Sequence, residues 1–400
     1  MSENKKYLFI YFIILFEICI YLADDMIMPA MIIITKHFQV SEINTPSALS
    51  FFIFGASITP FFLGPLSDKY GRKKFILLSI SVFIIASILN SFSVNFEMFL
   101  ITRFFQGAGA GFVNVIGYAI AQEYFHEKRA IQMTAIMTTI SCLVPLFGPF
   151  LGRIYIEFFT WQSIHINMAI ISILSFLGIL IFFNEFVLNF NKNRSHHKDL
   201  WKHYLQAFKN KKIIFGSIAY GIAEVPFYSW IAIAPLLLSK ENNLSSIEYG
   251  LYQLPFFLSY LLGLVILNLK LKFSTTEKII YFGSYFIVFG LILSFILPFI
   301  FGQDYFFILL PFSIYSLGAA IISAPLYREV LNCENIGLGS IAAIKNFILL
   351  LIIALFTQSL SFIYSNLNNI NLGIYGITIA ILYVVSLRLF YREKYSKCNS

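Results

Sequence analysis

Six ionisable side chains lie inside stretches that are otherwise apolar: Glu17, Asp24, Asp25, Arg103, Glu224 and Lys345. An ionisable group at the centre of a bilayer costs at least ~2.5–3.5 kcal/mol, so it is expected to face a cavity and to have work there. Three of the six are acids of one segment, FEICIYLADDMIMPAM (16–31). Glu17 and Asp24 are about two helical turns apart and share a face, while Asp25 lies roughly 80–100° round from them. All three can border one cavity. A carboxyl that holds a proton in one state and faces a cation in another can exchange the two, because a nearby positive charge favours its ionised form. Glu17, Asp25, Asp24 and Arg103 are the candidate proton-coupling set; the alternative is that Asp24 and Asp25 are hydrated near a mouth and Arg103 only ties helices together. Glu224 and Lys345 have two readings. They neutralise one another, since an isolated buried charge is costly, or Glu224 is a further substrate or proton site.

The elements that hold these groups follow from composition. The chain has 400 residues, 58% hydrophobic and only 12% charged, with 46 phenylalanines and a mean hydropathy of +0.79. Soluble domains carry about 25% charged residues. Disorder, which needs low hydrophobicity and high charge, collagen-like chains and disulfide frameworks are excluded, and a soluble enzyme is not expected. Four cysteines (Cys19, Cys142, Cys333, Cys398) show no CxxC spacing, and the first apolar stretch has no small-residue cleavage site.

Spanning helices need about 20 mostly apolar residues. Twelve stretches qualify, near 7–35, 46–66, 75–94, 97–122, 130–153, 163–186, 213–239, 247–268, 278–301, 304–326, 337–363 and 371–390. The polar stretch 187–212 divides an N-terminal bundle of six (1–186) from a C-terminal one (213–400). With both termini cytoplasmic, 23 of the 28 Lys and Arg fall on the inner side and 3 on the outer, Arg103 and Lys345 being inside spans. That asymmetry is the positive-inside signature, and it accounts for the net +8 charge without a nucleic-acid partner. In the linker, Leu200, Trp201, Tyr204, Leu205 and Phe208 line one face of a helix whose other face is lysine-rich, as expected of a helix on a membrane surface. His196 and His197 read as loop residues, not metal ligands.

Four segments carry a family resemblance. GPLSDKYGRKK (64–74) matches G-x-L-x-D-x-x-G-R-[KR]-[KR], the signature loop of the major facilitator superfamily. ITRFFQGAGAG (101–111) resembles the R-x-x-Q-G motif of that family's fourth helix. PLFGPFLG (145–152) resembles the G-P-x-x-G antiporter motif of its fifth, with Val144 and Arg153 where the broad consensus has glycine. FEICIYLADDMIMPAM and LSSIEYGLYQLPFF (244–257) resemble the drug/proton antiporters of the MdfA type.

The resemblance implies an all-α membrane protein, twelve helices in two six-helix bundles, exchanging protons for lipophilic drugs by alternating access in a bacterial inner membrane. It carries Glu17 and Asp25 onto two membrane acids of substrate recognition and proton exchange, and Arg103 onto an intramembrane arginine. Gly64, Asp68, Gly71 and Arg72 are then a conformational latch, and Pro145, Gly148, Pro149 and Gly152 the antiporter motif. Tyr21, Ile231, Tyr249, Gln253 and Phe257 become substrate contacts, with Tyr228, Trp230 and Glu224 close by. Asp24, Glu224 and Lys345 depart from the family pattern. The expected partners are small lipophilic molecules, protons and lipid, with no cofactor, and the expected state is a monomer. No internal repeat is visible, since GPLSDKYGRKK has no counterpart near 264–278.

Runner-up readings are a dedicated exporter of one metabolite or siderophore, and an alkali-cation/proton exchanger, on the same fold. A membrane enzyme is disfavoured by the lack of zinc spacing, nucleophile elbow, P-loop or dinucleotide motif.

Overall fold

In lipid every backbone N–H and C=O must be satisfied within the protein, which leaves helices or closed barrels; long continuous apolar runs select helices. A computed structural model of the chain describes residues 8–125, 127–183, 204–240, 246–302, 304, 306–331, 338–364 and 369–396. Among the described residues there is no strand. In order come α1 (Leu8–Asp25), α2 (Ile27–His37), α3 (Thr45–Tyr70), α4 (Arg72–Ser91), α5 (Phe96–Tyr124), α6 (Glu127–Phe158) and α7 (Trp161–Phe182). There follow α8 (Lys211–Ala234), continued by a π-helical turn at Pro235–Lys240, then α9 (Ser246–Lys270), α10 (Thr276–Phe301), α11 (Phe306–Leu331), α12 (Leu338–Tyr364) and α13 (Asn369–Ser396).

Each apolar stretch named above is mostly helical in its described part, and nine helices of the described residues are long and apolar enough to cross a membrane. α1 is not among the nine, for it carries Glu17, Asp24 and Asp25 within 18 residues. The stretch 7–35 is two helices, not one. Pro29 has no N–H to close on the Asp25 carbonyl, so the helix is interrupted at Met26, beside the acids.

Two compact units divide the chain, Met1–His196 and His197–Ser400. In the first, α5 packs on α3 and α4, α7 on α4 and α1, and α6 on α1. In the second, α11 packs on α9 and α10, α13 on α10 and α8, and α12 on α8. The order of partners is the same, so the repeat invisible in the residues is present in the packing. Glycines make it possible. A Cβ at Gly107 would strike the backbone of Phe52, one at Gly111 that of Ala56, and one at Gly263 the carbonyl of Leu317. Small residues of this kind let membrane helices approach closely.

Linker residues 184–203 lie outside the described set, and with them Leu200 and Trp201. Residues 204–209 are helical, with Tyr204 buried and Leu205 and Phe208 exposed.

Candidate functional site

The first unit gathers its charges at the end of α1. Arg103, fully buried on α5, donates Nη2 to Asp24 Oδ1 at 2.6 Å and Nη1 to Gln106 Oε1 at 2.8 Å. It also donates Nη1 to the Ala23 carbonyl at 3.1 Å and Nε to the Ala48 carbonyl at 3.3 Å. Its guanidinium lies 4.6 Å from the Phe52 ring centre. Gln106 in turn donates Nε2 to Ser87 Oγ at 2.8 Å. One side chain thus ties α1, α3 and α5 together, and Gln106 extends the tie to α4. A guanidinium suits this task, since its planar fork presents five donors at fixed angles.

The two adjacent acids are treated differently. Asp24 forms the ion pair with Arg103. Asp25, 3% exposed, points elsewhere, and its Oδ2 has no hydrogen-bond partner among the described residues. It packs against α6, where a Cβ at Gly148 would collide with its side chain. One turn on, a Cβ at Gly152 would collide with the Met26 backbone. Gly148 and Gly152 therefore allow α6 to lie directly on the interruption between α1 and α2. Pro145 and Pro149, both within α6, are buried beside them. Glu17 is buried two turns earlier on α1, and Tyr21 is half-buried between.

His165, on α7, was not singled out from the sequence. Its ring is fully buried, both ring nitrogens lack hydrogen-bond partners among the described residues, and it lies within electrostatic reach of Arg103. Phe99 and Trp161 flank it, with ring centres at 6.1 and 6.2 Å. One histidine in an apolar segment gives no periodic signal by which to find it.

In the signature loop Gly71 takes φ +100°, a conformation glycine adopts readily, and joins α3 to α4 in a single residue. Arg72 is buried at the start of α4. The side-chain surroundings of Gly64 and Asp68 lie outside the described set.

In the second unit Glu224 lies on α8 and Lys345 on α12, 9% and 2% exposed. Each feels the other's charge, yet among the described residues they form no direct ion pair. Lys345 Nζ lies instead 3.9 and 4.1 Å from the ring centres of Tyr220 and Tyr327. It donates to Asn346 Oδ1 at 3.2 Å. Beside Glu224, the Phe227 N–H donates to Tyr315 Oη at 3.2 Å, and that hydroxyl donates to the Ala223 carbonyl at 2.6 Å. A hydroxyl from α11 thus bonds to both the donor and the acceptor of one turn of α8, next to Pro226, which has no N–H of its own. Pro226 is visible in the sequence as a residue without a donor; nothing there points to Tyr315.

Gln253 accepts from Trp230 Nε1 at 3.1 Å, and Tyr249, Ile231 and Phe257 are buried. Tyr228 is half-buried. The described residues hold no cluster of metal-ligating side chains.

Residues 13–332 match the family model of the Major Facilitator Superfamily. The chain is 28% identical over 382 residues to the multidrug transporter MdfA of Shigella boydii, covering 96% of this chain and 93% of that one. It is 34% identical over 233 residues to the chloramphenicol resistance protein CraA of Acinetobacter baumannii, 58% of this chain and 56% of that one. Its fold is similar to that of a bacterial homolog of the human lysosomal transporter Spinster in an inward-facing, unoccupied conformation. The TM-score is 0.69 and the identity 12%, with 98% of each chain covered.

Proposed function

Because the chain belongs to the Major Facilitator Superfamily, and so is a membrane transporter and not an enzyme, we propose that it is a proton-coupled antiporter exporting lipophilic drugs. Relatives named for multidrug transport and chloramphenicol resistance support organic drugs as cargo over a single metabolite. The proposed architecture is twelve spans in two bundles with a linker at 187–212, both termini cytoplasmic, acting as a monomer in the inner membrane. No cofactor is needed besides the coupling proton.

One observation carries the coupling. Of two adjacent acids, the part-buried Asp24 is clamped by Arg103, while the buried Asp25 leaves Oδ2 without a hydrogen bond among the described residues. Asp24 and Arg103 hold the helices; Asp25, with Glu17, exchanges a proton for the drug. Arrival of a drug beside Asp25 favours its ionised form when the drug is cationic, and the proton leaves as the drug binds. Alternating access then exposes drug and proton to opposite sides. Inward proton movement supplies the energy, about 2.3 kcal/mol for each charge crossing 100 mV. Glu224, Tyr21, Tyr228, Ile231, Tyr249, Gln253 and Phe257 are the proposed drug contacts, Gly64, Asp68, Gly71 and Arg72 the latch, and Pro145, Gly148, Pro149 and Gly152 the antiporter motif.

The test is the purified protein in liposomes, with drug-induced proton release and pH-gradient-driven uptake measured together. E17Q/D25N is expected to abolish drug-linked proton movement. Uphill drug export persisting in that variant would sink the assignment of the coupling acids.

A further inference from the structure

Lys345 is the one buried cation of the second unit's described spans that answers to no direct carboxylate, although Glu224 is close enough to feel its charge. A buried lysine ordinarily takes a nearby carboxylate directly, because the unpaired charge is costly. Here the ammonium takes two aromatic faces, Tyr220 of α8 and Tyr327 of α11. The two rings are tilted at 66° with centres 6.2 Å apart, so they form two walls of a box. Glu224 stands one helical turn from Tyr220 on the same face of α8. Tyr228 and Tyr260, from α8 and α9, lie within electrostatic reach of Tyr220 as well. The occupant is nearly inaccessible, but Tyr220 and Tyr327 keep partial exposure.

Aromatic faces around a carboxylate are the arrangement that recognises ammonium groups. We propose that this box is a subsite for the tertiary or quaternary ammonium group of an organic cation, and that Lys345 is its resident cation, displaced when such a substrate binds. The box holds one cation against one carboxylate. A second would leave net positive charge in a low-dielectric interior, so substrate and Lys345 compete for the same faces. Lys345 then sets a threshold that ammonium compounds must exceed and that uncharged compounds never meet. This rests on the reading of the chain as a drug transporter, and names the substrate class of one part of its site.

The test is equilibrium binding of benzyltriethylammonium and of uncharged chloramphenicol to the detergent-purified full chain, which needs no proton gradient. K345M removes the resident cation and is expected to bind the ammonium probe about ten-fold more tightly than wild type, since each desolvated cation–π face is worth about that factor. Chloramphenicol binding is expected to change less than two-fold. Adding E224Q or Y220L to K345M should erase the gain. Y220L and Y327L remove neither charge, and each should weaken ammonium binding about five-fold or more if K345M does not fold. Unchanged or weaker ammonium binding in K345M overturns the proposal, as does chloramphenicol moving in step with the ammonium probe, or no loss in Y220L and Y327L. Competition at the box without uphill transport in liposomes would instead sink the antiport reading and leave the subsite standing.

Discussion

α1 and α8 pack on equivalent partners in the two units and each carry a buried acid within a turn of a proline. The surroundings differ. Pro29, in α2, has no N–H for the Asp25 carbonyl at the end of α1, and glycines of α6 bring a further helix against that interruption. In α8, which runs on through Pro226, a tyrosine hydroxyl from α11 bonds to both Phe227 and Ala223. The charges differ too. Arg103 grips Asp24 directly and spends its other donors on carbonyls and Gln106, a rigid knot across several helices. Lys345 rests on aromatic faces that hold a compact ammonium with little directional demand. A guanidinium fork fixes geometry, whereas an ammonium on a flexible stem can be exchanged. The first unit is built to keep its cation in place, the second to let one go.

Removing the two cations gives the largest contrast. R103M leaves Asp24 buried without its partner and is expected to cost about 3–5 kcal/mol of stability and all uphill export. Thermal unfolding in detergent should show part of that loss recovered in D24N/R103M. K345M should cost clearly less; an equal loss would erase the distinction between the knot and the cage.

Gly148→Ala comes next. Its Cβ would meet Asp25, so overpacking of about 1–3 kcal/mol is expected. Drug-linked proton release should fall more than the amount of folded protein, and wild-type coupling in G148A would show that Asp25 has room to move. Y315F sharpens the other side. It removes the hydroxyl that bonds to both the Phe227 N–H and the Ala223 carbonyl, an expected loss of about 1 kcal/mol seen as a lower melting temperature. His165→Phe should raise stability by about 1 kcal/mol, because it removes buried nitrogens that have no partner; a drop in stability would mean the imidazole has a bond to lose.

The smallest effect is expected where charges are partly exposed. Lys394 pairs with Glu277 at 2.5 Å and with Glu329 at 2.8 Å, its own side chain 20% exposed. K394M should shift unfolding by about 1 kcal/mol or less.

The elements and the charged candidates were legible because each is a one-dimensional signal: a run of apolar residues, an acid inside the run, a glycine–proline cluster. Pro29 and Pro226 likewise announce where two helices lose a donor. Which of two adjacent acids is clamped was not legible, since Asp24 and Asp25 differ only by about 100° around a helix. The answer depends on where α5 and α6 lie. Nor was the cage, because Tyr220, Tyr327 and Lys345 are scattered over three helices among 23 tyrosines. The repeat escaped notice because packing asks for a small residue at each crossing, not for the same residue in register.

By itself the sequence determined that this chain is helical, membrane-embedded and charged at few interior points, because burying a backbone and a charge in lipid has so few solutions. Tertiary structure alone decided which interior charges meet. Direct contact needs groups within a few ångströms and correctly oriented, and that depends on how helices cross, a property no single segment contains.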